Sequence, residues 1–117
     1  MNTVMQETVV ENSMIQNDRL LDIFVKQLKK GLGDNLKKII LFGSRARKND
    51  SPESDYDCMA VVKKLSPKLN DMIDEIAAEF LYEHHAVFSV FPVSESRYDR
   101  EIYNPFFMNV KKEGITL

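Results

Sequence analysis

From Asp18 onward, Leu20, Leu21, Phe24, Leu28 and Leu32 recur at intervals of three and four residues, the period of a helix with one apolar face. Lys29 and Lys30 fall in its last turn, where a helix dipole favours cations, and Gly31 and Gly33 end it. The pattern then changes period. Ile39, Ile40, Leu41 and Phe42 form a nearly unbroken apolar run that predicts a strand over Leu36–Phe42 covered on both faces, and Gly43 stops it. Residues 44–54 are polar and broken by Pro52, with room for a turn or two near 45–48. A second strand is expected over 55–62, closing on Met59, Ala60, Val61 and Val62.

Ser66-Pro67 supplies a capping hydroxyl and a proline at the first helical position. The helix it opens carries Leu69, Met72, Ile73, Ile76, Ala77, Phe80 and Leu81 on one face and should stop near Glu83 or His84. Residues 86–93, rich in Val and Phe, predict a third strand whose Pro92 marks its end or an edge position. The charged run 95–101 suits one helical turn, and Asn104-Pro105 opens a last helix with Phe106, Phe107 and Val110 on its apolar side, before Gly114 and a short tail. Helix, strand, strand, helix, strand, helix implies a small α/β layer structure over residues 18–117. Residues 1–17 mix polar and apolar positions and read as an N-terminal arm or a frayed helix.

With 117 residues, one domain is expected. Sixteen Lys and Arg against eighteen Asp and Glu give a net charge of -2, which argues against a long nucleic-acid track. Cys58 is the only cysteine, so an intrachain disulfide and a Cys-rich zinc site are excluded, and its apolar surroundings predict a buried thiol. No apolar stretch approaches the ~20 residues of a membrane span, and no basic-then-apolar leader pattern opens the chain, so a cytoplasmic protein is expected.

Candidate chemistry sits between the first two strands. Strand side chains alternate, so Asp55 and Asp57 share a face roughly 6.5 to 7 Å apart and can converge on a hard cation. Few oxygen ligands completed by phosphates suit magnesium, whereas the plainer alternative is a pair of acids edging a solvated loop. Gly43 lets the backbone approach a ligand, the following amides can cradle phosphate oxygens, and Ser44 adds a hydroxyl. Arg45, Arg47 and Lys48 bring positive charge beside them. His84-His85 has no further His or Cys to complete a metal site and fits a helix C-terminus. Tyr98, Tyr103, Phe106 and Phe107 are spaced as core aromatics.

The segment GSRARKNDSPESDYDCMAVV, residues 43–62, resembles the G-S-x10-D-x-D signature of the DNA polymerase beta-like nucleotidyltransferase superfamily, in particular its minimal nucleotidyltransferases. The likeness covers about 18–117, and the ending from Asn104-Pro105-Phe106 to Glu113-Gly114-Ile115 is similar as well. It implies the nucleotidyltransferase fold, an α/β (α+β) arrangement with a small mixed β-sheet flanked by helices. It also implies that Gly43 and Ser44 hold a triphosphate while Asp55 and Asp57 bind Mg2+ and carry catalysis. Arg45 and Lys48 are the expected phosphate contacts, Arg45 the better because its guanidinium fork matches phosphate geometry. One departure stands out: active members generally place a third carboxylate on the strand after the long helix, and residues 86–93 contain none. Ser89 is the polar residue at its middle, while Glu83 and Glu95 flank it, either able to reach in or simply surface acids.

Minimal proteins of this type resemble the antitoxin half of toxin-antitoxin pairs, whose partner is an all-helical HEPN ribonuclease. The implied reaction is transfer of AMP from ATP to a tyrosine of that toxin. Two other readings stay open: a catalytically weak or inactive member that neutralises or scaffolds a partner by binding, and a small-molecule transferase for an aminoglycoside-like acceptor, working as a homo-oligomer.

Overall fold

The computed structural model describes residues 18–47 and 55–117. The arm or helix expected over 1–17, together with Lys48, lies outside the described residues. Chain order is α1 (Arg19–Leu32), a 3-10 turn (Gly33–Asn35), β1 (Leu36–Phe42), β2 (Tyr56–Val62), α2 (Pro67–His84), β3 (Phe88–Ser94), α3 (Glu95–Arg100), α4 (Pro105–Glu113) and β4 (Ile115–Thr116). The strands form one sheet in the order β3-β2-β1-β4. β2 and β3 run parallel while β1 is antiparallel to both β2 and β4, so the sheet is mixed and the fold is α+β.

The helix boundaries follow the capping chemistry of the sequence. Asp18 accepts from the Leu21 amide at 2.9 Å, Ser66 from Leu69 at 3.1 Å, Ser94 from Arg97 at 3.2 Å and Asn104 from Phe106 at 2.9 Å. Each such cap satisfies a first-turn amide and stabilises the helix by about 1 kcal/mol. His85 closes α2 in the left-handed conformation, donating its amide to the Leu81 carbonyl at 3.0 Å. The expected helix-end role for the histidine pair is met by its backbone.

Both faces of the sheet are covered. On one, Phe24, Leu28 and Phe80 from α1 and α2 pack with Ile39, Leu41, Cys58 and Phe88. On the other, Tyr98, Phe107 and Val110 from α3 and α4 pack with Ile40, Met59, Val61 and Val93. This two-sided burial explains why β1 and β2 are apolar almost throughout. β3 begins two residues later than expected, and Pro92 sits within it opposite Ala60, tolerated because β3 is an edge strand. The tail is a strand: Ile115 pairs with Leu41 and Thr116 with Ile40. Gly114 makes that return possible, since a Cβ there would strike the Ile40 side chain and the Val110 carbonyl.

Phe24 is fully buried, stacked on Phe88 at 3.9 Å and edge-on to Phe80 at 5.2 Å. Phe24→Ala should therefore lower unfolding free energy by about 3–5 kcal/mol in urea titration. Cys58 is buried, and burial, with the neighbouring Asp57 charge adding to it, pushes the thiol up to about 12. The native chain should leave Cys58 unlabelled by a maleimide that reacts at once after unfolding.

Candidate active site

β1 and β2 meet at their site-bearing ends. Phe42 pairs with Asp57 across the antiparallel ladder, which brings Gly43 against the Asp57 carboxylate. A Cβ on Gly43 would lie 2.5 Å from Asp57 Oδ2, and the residue adopts φ +79°, a conformation that side-chain-bearing residues rarely take. The Gly43 carbonyl accepts the amides of Ala46 and Arg47, both at 3.1 Å, so the chain turns tightly through Ser44 straight from the strand end.

Asp55 is exposed one residue ahead of β2, while Asp57 lies inside the strand and is half-buried. Burial raises the Asp57 pKa above its ordinary 3.8, the Asp55 charge raises it further, and Arg47 opposes both. The pair shares the sheet face that carries Met59 and Val61, covered farther along by α3 and α4. Two repelling carboxylates beside a tight backbone turn could hold a hard cation that takes its remaining ligands from elsewhere. They do not suit a cage made by protein alone: among the described residues, no group of three or more His, Cys, Asp or Glu could hold a metal ion.

Among the described residues, no third carboxylate joins the pair in space, as none stands on β3 in sequence. Ser89 of β3 is the lateral neighbour of Asp57, and it is exposed. Glu95 follows Ser94, which pairs with Val62 at the opposite end of β2, about 16 Å of strand from Asp57. Glu83 ends α2 on the other side of the sheet, its carboxylate exposed and 4.0 Å from His84. Neither joins Asp55 and Asp57.

The cations divide. Arg45 packs its guanidinium 3.7 Å from the Tyr56 ring centroid and 3.5 Å from Asp18. Arg47 is more exposed and pairs with Glu113 at 3.4 Å. With Phe42, Gly43, Phe106 and Asn109, those two residues line an open groove of about 240 Å³ beside the turn. Glu113 could not be found from sequence, because it stands 66 residues from Arg47 and reaches it only through the return of the chain into β4. Tyr98 and Phe107 are core residues as expected, Phe106 is on the groove wall, and Tyr103 is exposed.

Because the folded chain raises the Asp57 pKa, ionising that group costs stability: its contribution is full at low pH and is lost as pH climbs through the raised value. Asp57→Asn should raise the melting temperature of the ligand-free chain at pH 7 by about 1–3 °C. Wild type should lose stability relative to that variant from about pH 4 upward, as the carboxylate sheds its proton. Gly43→Ala should cost about 1–3 kcal/mol in urea titration, from φ strain and the clash with Asp57.

Comparison with known proteins agrees with this geometry. The sequence profile of the family described as "Nucleotidyltransferase domain" matches residues 21–104. A Methanocaldococcus jannaschii protein, MJ0604, whose name proposes protein adenylyltransferase activity, is 30% identical over 103 residues, covering 88% of this chain and 99% of the relative. A second from that organism, MJ1305, named in the same way, is 35% identical over 78 residues, or 64% of this chain; the match spans about half of the relative, 52%. Among solved structures, a toxin-antitoxin with AMP-PNP superposes with TM-score 0.57 at 17% identity, covering 80% of this chain and 68% of that one. A Sulfolobus solfataricus protein, described as a proposed nucleotidyltransferase, gives TM-score 0.57 at 21% identity over 90% of this chain and 82% of that one. These two establish a shared fold, while the profile spans α1, the Gly-Ser turn, the Asp-x-Asp strand, α2 and β3. The chain belongs to the nucleotidyltransferase domain family.

Proposed function

We propose that this chain binds a nucleoside triphosphate, ATP first among candidates, together with magnesium at the Gly43 turn and the Asp55/Asp57 pair. In that role it serves as the antitoxin of a HEPN-type toxin and neutralises the toxin chiefly by binding, with transfer chemistry weak or lost. Ser89 beside Asp57 is the observation that carries this reading. A two-carboxylate site can hold a nucleotide-bound cation, yet among the described residues no further acid stands beside it to complete a second metal site or draw a proton from an acceptor.

Within the site, Gly43 and Ser44 approach the phosphates with backbone and hydroxyl, Asp55 and Asp57 are the residues that would hold magnesium, and Lys48 and Arg47 add positive charge. Magnesium supplies charge neutralisation on the phosphate oxygens. Arg47 is paired with Glu113, so a bound phosphate would compete with that carboxylate for it.

A second reading, AMP transfer to a partner tyrosine, is favoured by the naming of MJ0604, which this chain matches over nearly its whole length. There the tyrosine Oη bonds to the α-phosphorus, the bond to the bridging oxygen breaks, pyrophosphate leaves, and the phenol proton passes to water.

Calorimetry with ATP and magnesium should give one site per chain, lost in Asp57→Asn; absence of wild-type binding would overturn the nucleotide reading. Ribonuclease activity of a co-purified HEPN partner separates the rest. Neutralisation kept by Asp57→Asn, with no AMP mass on the partner, supports binding. Neutralisation lost, with AMP found on a partner tyrosine under wild type, supports transfer.

A further inference from the structure

We infer that Arg45 is a positioning residue, clamping the Gly43 turn to the strand that carries the two carboxylates. The inference rests on the nucleotide reading of that site and assigns Arg45 a place behind it rather than on a phosphate.

Four flat groups lie in a continuous stack. The Arg45 guanidinium lies 3.7 Å from the Tyr56 ring centroid, Tyr56 is parallel to Phe88 at 4.2 Å, and Phe88 is parallel to Phe24 at 3.9 Å. The ring planes differ by only 8° and 13°, so the column runs from the fully buried core outward to the turn. Arg45 itself is only 12% exposed at its side chain, and Asp18 holds its edge at 3.5 Å. Asp18 is fixed in turn, since its other oxygen caps α1 through the Leu21 amide.

Tyr56 stands between Asp55 and Asp57, and its ring points to the face opposite theirs. Gripping that ring therefore ties residues 43–47 to the two carboxylates from the far side of the sheet. A guanidinium suits this place because it is planar, so its face extends the stack of rings while its edge donates; an ammonium has no flat face with which to extend it.

The clamp is tested in two ways. In the ligand-free chain, amide hydrogen exchange at Ala46 and Arg47, the donors to the Gly43 carbonyl, should quicken at least ~10-fold in Arg45→Lys and Tyr56→Leu. It should stay near wild type in Tyr56→Phe, with protection of the β1–β2 core amides unchanged. For ATP with magnesium, Arg45→Ala and Tyr56→Leu should each weaken binding ~10-fold, and the double variant by no more than either alone. The salt dependence of binding should be the same in Arg45→Ala as in wild type, because no phosphate contact has been removed.

Unchanged exchange at Ala46 and Arg47 in Arg45→Lys would overturn the clamp. So would additive losses in the double variant, or a shallower salt dependence in Arg45→Ala. If wild type binds no ATP, the nucleotide reading fails by itself and the exchange experiment still decides whether Arg45 clamps the turn.

Discussion

At the ends of β1 and β2 the chain must hold a glycine backbone and a half-buried carboxylate in van der Waals contact, and most of the site follows from that approach. Phe42 and Asp57 are paired in register, so whatever follows Phe42 meets the Asp57 side chain. Any residue with a Cβ would collide there, and the positive φ of Gly43 turns the chain at once, within hydrogen-bonding distance of its own carbonyl. The result is a turn of backbone amides beside two acids that repel one another. Asp57 is raised in pKa by its burial and by Asp55, which makes the ligand-free site electrostatically unfavourable and ready to be relieved by a cation.

Such strain persists only when the surrounding structure holds it. The sheet does so from both sides. α1 anchors one face through Phe24, stacked in a column with Phe88 and Tyr56 of the sheet, and α2 adds Phe80 edge-on to Phe24 and Phe88. α3 and α4 anchor the other through Tyr98, Phe107 and Val110, and Gly114 lets the chain return closely enough for β4 to complete the sheet beside β1. Asn35 adds a bracket at the far end of the ladder, its side chain accepting the Lys64 amide and donating to the Lys64 carbonyl, both at 2.9 Å.

Much of this was readable from local pattern. Asp18, Ser66 and Asn104 announce helix starts through chemistry that acts over three residues, and the apolar run ending at Phe42 announces a strand covered on both faces. The Gly43-Ser44 and Asp55-x-Asp57 spacing indicates a site, and the missing acid on β3 was equally visible. What escaped was long-range. Ile115 and Thr116 are too few to show a period, yet they form a strand because β1 offers a free edge. Glu113 reaches Arg47 across 66 residues, and Arg45, read as a phosphate fork, meets the face of Tyr56, eleven positions on but brought alongside by the β1–β2 ladder. In sequence Arg45 reads as the phosphate contact and Arg47 only as nearby charge, whereas the fold packs Arg45 against Tyr56 and leaves Arg47 beside the groove.

The Gly43 turn and the Asp55/Asp57 pair form the proposed site for a nucleotide and its metal. Backbone amide NMR shifts, followed as magnesium and a non-hydrolysable ATP analogue are added, test it most directly. The largest shifts should fall at Gly43, Ser44 and Ala46 and at residues 55–57, with saturation at one nucleotide per chain. Saturable shifts centred elsewhere, such as the groove between Lys29, Lys37 and Leu117 at the β4 edge, or no shifts at all, would contradict it.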